Sequence, residues 1–155
     1  LVSFARHYGL SHQDTAAAIA RSDHANSADG TTVTQFLGSW SEHVASWTEN
    51  MPYPVCVLRY EDMLEKPQES FGKVLSHIGI PNDPARLDKA IRFSSFDELS
   101  KQEQDGGFVE SSPKNERFFS KGKSGQWQSE LSPEIVEQVK SDHHKYMKKY
   151  GYLDE

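Results

Sequence analysis

Apolar residues recur every three or four positions along most of this chain, which is the spacing of amphipathic helices. The strongest stripe lies at 34–47, where Phe36, Leu37, Trp40, Val44 and Trp47 would share one face. The pattern predicts further helices over 1–8 and 14–21, then from Pro67, from Pro84, from Ser94 or Ser95, and from Pro133. Segments 22–32 and 102–115 are polar and predicted to be loops, the second placed to act as a lid.

Residues that commonly begin helices stand before several of these stripes. Ser11 and Ser132 are predicted N-caps, because a serine hydroxyl accepts a hydrogen bond from the first free backbone N–H groups. Proline follows at the first helical position in the helices that start at Pro67, Pro84 and Pro133, where its missing N–H is tolerated. These signals predict where the helices begin more sharply than the apolar stripes do.

One short stretch departs from the helical spacing. Residues 55–60, VCVLRY, are almost continuously apolar and follow two prolines. This pattern predicts a strand buried on both faces, as in a parallel sheet, whose partner strands lie outside this chain. Because ligands bind at strand ends in such sheets, Tyr60 is a candidate ligand contact, with a half-buried structural tyrosine as the alternative.

The chain's most distinctive chemistry lies at 118–127, FFSKGKSGQW. Glycines permit positive φ and close approach of backbone N–H groups to a ligand, and lysines add positive charge. The segment therefore predicts an anion site, most plausibly for phosphate, pinned by its flanking aromatic residues. A lysine-rich surface turn is the alternative. A Walker A motif is excluded, because Arg117 stands where the first glycine is needed.

Composition limits the classes of function. The 155 residues carry a net charge of -6 and a single cysteine, Cys56. This balance argues against a general nucleic-acid or membrane-surface role, and one cysteine excludes a disulfide framework. The length predicts one domain, and the absence of a signal peptide or a membrane-length apolar run predicts a cytoplasmic protein. Leu1 is not a natural start, so we expect the chain to be part of a longer protein.

Several segments, in order, resemble the C-terminal half of the cytosolic-type sulfotransferases. These enzymes move a sulfuryl group from 3′-phosphoadenosine 5′-phosphosulfate (PAPS) to a hydroxyl or amine. The resemblance covers nearly the whole chain and is carried by GSW with HV and SW at 38–47, VLRYEDM at 57–63, FSSFDEL at 93–99 and FFSKGKSGQW at 118–127. It implies an α/β, P-loop NTPase-like three-layer fold with a parallel sheet. Residues 1–155 would be the largely helical C-terminal portion of that single domain, without its N-terminal phosphosulfate-binding part.

The resemblance also implies roles for individual residues. Lys121 and Gly122 would hold the 3′-phosphate, and Tyr60 would contact the adenine. Ser94 and Phe96 would shape the adenine pocket, with Phe96 stacking on the base. Ser3 resembles the serine that closes the family's 3′-phosphate motif.

The remaining expectations concern the reaction. The cofactor would be PAPS, with 3′-phosphoadenosine 5′-phosphate as its product, and no metal is expected. The acceptor would be a small-molecule hydroxyl or amine, with no nucleic-acid or membrane partner. The catalytic lysine and the histidine base are expected upstream of Leu1, so we expect this chain alone to be inactive.

The segment 118–127 and the residues that follow it also depart from the family pattern. Ser120 stands where the family usually has arginine, which removes a bidentate phosphate partner; Arg117 or Lys123 would have to compensate. Gln126 replaces the usual aspartate, and the family's dimer motif is broken around 128–137. The alternatives are a nucleotide-binding module without chemistry and a degenerate, purely structural relative.

Overall fold

A computed structural model of the chain describes residues 1–28, 33–108, 118–119 and 122–153. The strands β1 (Ala25–Asn26) and β2 (Gln35–Phe36) pair antiparallel. The helices are α1 (Val2–Tyr8), α2 (His12–Ala20), α3 (Trp40–Thr48), α4 (Tyr60–Glu65), α5 (Pro67–His77), α6 (Pro84–Phe93), α7 (Phe96–Gly106), α8 (Trp127–Glu130) and α9 (Pro133–Lys149). The chain divides into a first unit, Leu1–Pro54 with Trp127–Glu155, and a second unit, Val55–Gln126.

The helix starts predicted at Ser11, Pro67, Pro84 and Pro133 are confirmed. The Ser11 hydroxyl accepts a hydrogen bond from the Asp14 N–H at 3.0 Å, and the Ser132 hydroxyl accepts one from the Ile135 N–H at 3.5 Å. Proline occupies the first turn of α5, α6 and α9. Each cap satisfies a backbone donor that has no partner within its own helix.

The core of the first unit lies where α2 and α3 pack on α9. Its buried apolar side chains are Val2, Ala5, Ala16, Ile135 and Tyr146. The Tyr146 hydroxyl reaches the end of α3 and donates a hydrogen bond to Glu49 Oε2 at 2.9 Å. Arg6 on α1 pairs with Glu130 on α8 at 2.6 Å, so the two stretches that make up this unit are joined by charge as well as by apolar contact.

The helix predicted at 34–47 is shorter than expected. It begins at Trp40, because Gly38 adopts a positive φ of 65° and Ser39 caps the helix. Phe36 belongs to β2 and is 83% exposed, and Trp47 is 62% exposed. The predicted helix therefore extended too far toward the N-terminus. No residue of the apolar stripe is fully buried, and Leu37, Trp40 and Val44 are half-buried.

Ser39 and Glu42 form a reciprocal capping box at this helix start. The Ser39 hydroxyl accepts from the Glu42 N–H at 3.2 Å, and the Glu42 carboxylate accepts from the Ser39 N–H at 2.8 Å. Hydrogen bonds from Ser39 hold the pKa of the Glu42 carboxyl below its ordinary value. Because Ser39 is also buried, its hydroxyl has little access to water as a substitute partner.

The change Ser39→Ala is expected to lower the free energy of unfolding by about 1 kcal/mol, the usual cost of losing an N-cap side chain. Chemical denaturation monitored by circular dichroism would measure this loss. Ser46→Ala is the matched control, since the exposed Ser46 hydroxyl donates to the carbonyl of His43 within the same helix and caps no helix start. An equal loss in both variants would contradict the capping role of Ser39.

The strand predicted at 55–60 is not formed. Residues 55–59 are neither helical nor paired in a sheet, and Tyr60 is the first residue of α4. Val55 and Val57 are 38% and 46% exposed. A strand needs neighbours for its backbone hydrogen bonds, and the described residues provide none for this segment. The described residues likewise do not form the parallel sheet that the family resemblance implies.

The second unit is a succession of helices in which α4 packs on α5, α5 on α6, and α6 on α7. Ser70, which is 2% exposed, donates from its hydroxyl to the carbonyl of Asp62 at 2.9 Å and so ties α5 to α4. The last helix of the series, α7, begins with Phe96, one of the predicted site residues. No helix in the described part of the chain has both the length and the apolar character needed to cross a membrane.

Candidate functional site

Gly122 lies directly against the ring of Phe96. Its φ is 57°, in the left-handed region where residues with a Cβ are strained. A Cβ placed on Gly122 would fall within 2.7 Å of Phe96 Cε2 and closer still to two other ring atoms. The glycine is therefore required for two reasons, its backbone conformation and its close approach to an aromatic ring. Two of the predicted site residues, Phe96 and Gly122, are thus brought into contact.

The aromatic residues before this glycine form one cluster. The ring centroids of Phe119 and Phe96 lie 6.4 Å apart, those of Phe119 and Phe108 lie 5.1 Å apart, and those of Phe118 and Phe108 lie 4.7 Å apart. All three contacts have tilted or edge-on geometry, which is favourable for aromatic pairs. Phe118 and Phe119 thus pack against other aromatic rings, while the loop residues 120–121 that they were expected to pin lie outside the described residues.

The carboxylate of Glu103 holds the same stretch through its backbone. Its Oε1 accepts a hydrogen bond from the Phe118 N–H at 2.6 Å, and its Oε2 accepts one from the Phe119 N–H at 3.0 Å. Glu103 was missed in the sequence because it fell in the loop predicted over 102–115. The helix α7 in fact continues to Gly106. The available signal was the seven-residue spacing from Phe96, which places both side chains on one helical face.

The two serines before Phe96 have separate structural roles. Ser95 is the N-cap of α7, and its hydroxyl accepts from the Glu98 N–H at 3.4 Å. Ser94 follows the end of α6 and donates from its hydroxyl to the Ala90 carbonyl at 2.9 Å. Ser94 is exposed and its hydroxyl oxygen retains acceptor capacity, so this bond leaves the side chain able to meet a ligand donor.

Tyr60 is placed at the start of α4 and is 50% exposed. The preceding residue, Arg59, pairs its guanidinium with the Asp62 carboxylate through Nε at 2.8 Å and Nη2 at 2.7 Å. These hydrogen bonds hold the pKa of the Asp62 carboxyl below its ordinary value. Tyr60 belongs to the same unit as Phe96, but α5 and α6 come between their helices in the order of packing.

The remaining predicted site positions belong to the first unit or lie outside the described residues. Ser3 is exposed on α1, in the first unit. Lys121 and the departure at Ser120 lie outside the described residues, as does Arg117. Of the proposed compensating cations, Lys123 is described and exposed, and its carbonyl accepts a hydrogen bond from Gln126 Nε2 at 2.9 Å. Gln126, which replaces the family's aspartate, thus closes a turn after Gly122.

The arrangement places the aromatic ring of Phe96 beside the backbone of Gly122, which carries no side chain. A planar apolar ligand group can stack on an aromatic side chain, and a glycine of positive φ exposes backbone that an anion can approach. The chemistry of a phosphorylated aromatic base therefore fits the neighbourhood of Phe96 and Gly122. Among the described residues no cluster of three or more His, Cys, Asp or Glu side chains is arranged to hold a metal ion.

Comparison with known proteins identifies the family of this chain. A family model described as "Sulfotransferase domain" matches residues 3–151. Sulfotransferase 1A1 of Canis lupus familiaris is 31% identical over 120 residues, covering 74% of this chain and 40% of that protein. Sulfotransferase 1E1 of Bos taurus is 29% identical over 116 residues, 72% of this chain and 39% of that protein. This chain belongs to the sulfotransferase family.

A plant relative shows a similar match. Flavonol 3-sulfotransferase of Flaveria bidentis is 29% identical over 115 residues, 66% of this chain and 37% of that protein. The chain thus spans about two fifths of the length of the curated relatives that it matches. No solved structure matches this chain.

Proposed function

We propose that this chain is the nucleotide-binding, C-terminal part of a PAPS-dependent sulfotransferase. It would bind the 3′-phosphate and the adenine of PAPS, and the whole protein would transfer the sulfuryl group to a small-molecule hydroxyl or amine. The observation that carries the proposal is the contact between Gly122 and Phe96, since it joins an anion-type backbone turn to an aromatic platform. Family membership supplies the chemistry for which such a pair is suited.

The residues have distinct proposed tasks. Lys121 would place a positive charge on the 3′-phosphate, and the backbone around Gly122 would add N–H donors. Phe96 would stack on the adenine with the part of its ring that Gly122 leaves uncovered. Ser94 and Tyr60 would bound the base, and Ser3 would contribute to the 3′-phosphate. When bound, PAPS supplies the activated sulfuryl group.

Sulfuryl transfer resembles phosphoryl transfer, in which the protein mainly positions the reactants in line and stabilises spread negative charge. Holding the 3′-phosphate and the base at two separated points fixes the orientation of the nucleotide, which is the positioning share of such catalysis. We assign only this positioning contribution to the residues of this chain. We therefore expect no sulfuryl transfer by the 155-residue chain alone. We also propose a cytoplasmic location, a small-molecule hydroxyl or amine acceptor, and no nucleic-acid or membrane partner.

The binding of 3′-phosphoadenosine 5′-phosphate, measured by calorimetric titration with 5′-AMP as comparator, tests the proposal. The bisphosphate should bind more tightly than 5′-AMP. The change Lys121→Ala should weaken its binding about tenfold, equivalent to about 1.5 kcal/mol for one charge-assisted hydrogen bond. Binding of 5′-AMP should change little.

Lys101→Ala provides the matched control, because Lys101 is an exposed lysine on α7 in the same unit and its loss changes the net charge equally. An equal effect in both variants would indicate general electrostatic attraction rather than a site at Lys121. Equal affinity of the unmodified chain for the bisphosphate and 5′-AMP would count against the proposed function and favour a purely structural relative.

A further inference from the structure

One side of α6 carries three positive charges and an aromatic ring. Arg86, Lys89 and Arg92 follow one another at intervals of three residues, and Phe93 comes seven residues after Arg86. Spacings of three, four and seven place side chains on the same side of a helix. All four side chains are exposed, and together they are called the basic face below.

The opposite side of α6 accounts for the packing of this helix. Leu87 and Ile91 are its half-buried residues, and every other residue from Pro84 to Phe93 is exposed. The helix packs on α5 and on α7. At 3.6 residues per turn, Leu87 and Ile91 lie roughly opposite the basic face. The basic face is therefore not needed for the packing of α6 within the second unit.

The three cations form no ion pair with another described residue. Asp88 stands four residues before Arg92, which is the spacing of a helical ion pair, yet the two are not paired. The Asp83 carboxylate is used at the helix start, where it accepts hydrogen bonds from the N–H groups of Ala85 and Arg86 at 3.0 and 3.2 Å. The acidic residues nearest in sequence thus leave these charges available.

Helix stability does not explain the placement of all three cations. Positive charge is favourable in the last turn of a helix, where it complements the helix dipole, and Arg92 lies there. Arg86 lies in the first turn, where the dipole disfavours a cation and where α6 has no acidic residue. The stripe therefore runs along the whole helix, although only one of its ends benefits the helix itself.

Phe93 adds an apolar contact to the stripe. Its side chain is 61% exposed, and the Lys89 ammonium group lies 5.8 Å from the centre of its ring. This distance permits a cation–π attraction, which keeps the ammonium group beside the ring. Arginine and phenylalanine are among the residues enriched in protein–protein interfaces. The composition of the basic face is thus that of a binding surface for protein.

Charge complementarity requires an acidic partner, and the size of the face limits its class. Six residues separate Arg86 from Arg92, about 9 Å along the helix axis. Three cations over this length match a few carboxylates. The net charge of -6 on the chain opposes approach to an extended anionic surface such as nucleic acid or a charged membrane. Guanidinium groups, moreover, pair with carboxylates through two parallel hydrogen bonds.

We propose that the basic face is a docking surface for a short acidic segment of another protein. Carboxylates of that segment would pair with Arg86, Lys89 and Arg92, and an apolar side chain between them would pack on Phe93. This role is independent of nucleotide binding, so the proposed function and the docking surface stand or fall separately.

Fluorescence anisotropy with the 155-residue chain and two labelled, end-blocked peptides tests the charge requirement. The peptide EEFEEF should bind at least about tenfold more tightly than QQFQQF, and high salt should weaken its binding. The double change Arg86→Gln with Arg92→Gln should weaken binding of EEFEEF about tenfold, since two exposed ion pairs are lost. Equal binding of the two peptides would overturn the proposal.

Matched variants keep the test specific to α6. Lys73→Gln with Lys101→Gln removes the same charge from exposed positions on α5 and α7 and should leave binding of EEFEEF unchanged. Phe93→Ala should weaken binding severalfold, whereas Ile80→Ala, at another exposed apolar residue of the unit, should not. Losses in the control variants as large as in the α6 variants would overturn the proposal.

Other occupants of the basic face give distinct results. Tighter binding of a short oligothymidylate or of phosphatidylserine vesicles than of EEFEEF, lost in the arginine double variant, would replace the acidic protein segment with nucleic acid or membrane. Self-association in analytical ultracentrifugation, lost in the same variant, would make a second copy of this chain the occupant. A loss of affinity for 3′-phosphoadenosine 5′-phosphate in that variant would assign the arginines to the nucleotide. Each of these results would overturn the proposal.

Discussion

The change Gly122→Ala is expected to weaken binding of 3′-phosphoadenosine 5′-phosphate by at least about thirtyfold. A residue with a Cβ at positive φ costs about 1–2 kcal/mol, and crowding a packed contact costs about 1–3 kcal/mol more. The free chain would relieve this strain by moving the loop away from Phe96. Binding would then have to restore the strained conformation, and each 1.4 kcal/mol spent on that step corresponds to about tenfold in affinity.

Gly79→Ala separates the two causes in the same unit. Gly79 has a φ of 70°, comparable to that of Gly122, but a Cβ there would meet nothing within 4 Å. The Gly79→Ala variant should therefore lower the free energy of unfolding through backbone strain, without a specific loss of affinity for the nucleotide. Calorimetric titration and thermal unfolding of both variants provide the two readings. Unaltered bisphosphate binding by Gly122→Ala would remove Gly122 from the site.

The free energy of unfolding is expected to fall as the pH drops below about 6.5, because of His143. This side chain is 2% exposed, and burial lowers its pKa from the ordinary value of 6.5. The unfolded chain therefore binds a proton at this position at a higher pH than the folded chain does. The contribution of neutral His143 to the free energy of unfolding is fully present above about pH 6.5. It is lost toward lower pH, by at most about 1.4 kcal/mol per pH unit, until the pKa of the folded state is reached.

The surroundings of His143 explain why its charged form is disfavoured. Its Nδ1 is 2.9 Å from the Ser41 hydroxyl, and the Trp40 ring lies edge-on at 5.4 Å. Its Nε2 is buried without a hydrogen-bond partner among the described residues. The neighbouring Asp142 favours protonation, but desolvation outweighs it. His143 also interrupts the regular geometry of α9, with φ -118° and ψ 15°.

His143→Asn should flatten this pH dependence, since asparagine can keep a hydrogen bond to Ser41 and does not titrate. The exposed neighbour His144 supplies the matched control, His144→Asn. Urea denaturation at a series of pH values between 5 and 8 gives, for each protein, the slope of the free energy of unfolding against pH. A slope in His143→Asn as steep as in the unmodified chain would assign the acid sensitivity to other groups.

Helix positions were largely predictable because their signals are local. An N-cap hydroxyl such as that of Ser11 or Ser132 acts within three residues of itself, and proline in the first turn requires no distant partner. Gly122 was also recognisable, since glycine between lysines and aromatic residues indicates a turn of positive φ. The same locality made the aromatic anchors Phe118 and Phe119 predictable.

The errors arose where a residue's surroundings depend on distant parts of the chain. The apolar run at 55–60 has the composition of a buried strand, yet strand formation requires hydrogen-bonding neighbours and the described residues offer it none. The stripe at 34–47 extended too far because Phe36 and Trp47 are apolar but exposed. Apolar character predicts that a side chain can be buried, not that a partner surface exists to bury it.

The sequence by itself determined the family, the helix starts and the glycine and aromatic chemistry of the loop. Motif order and capping depend only on which residues follow one another. Only the tertiary structure decided that Phe96 supports Gly122, that Glu103 holds the backbone of Phe118 and Phe119, and that His143 is buried against Ser41. These pairs are separated by between 15 and 102 positions, and packing between segments so far apart is set by the fold as a whole.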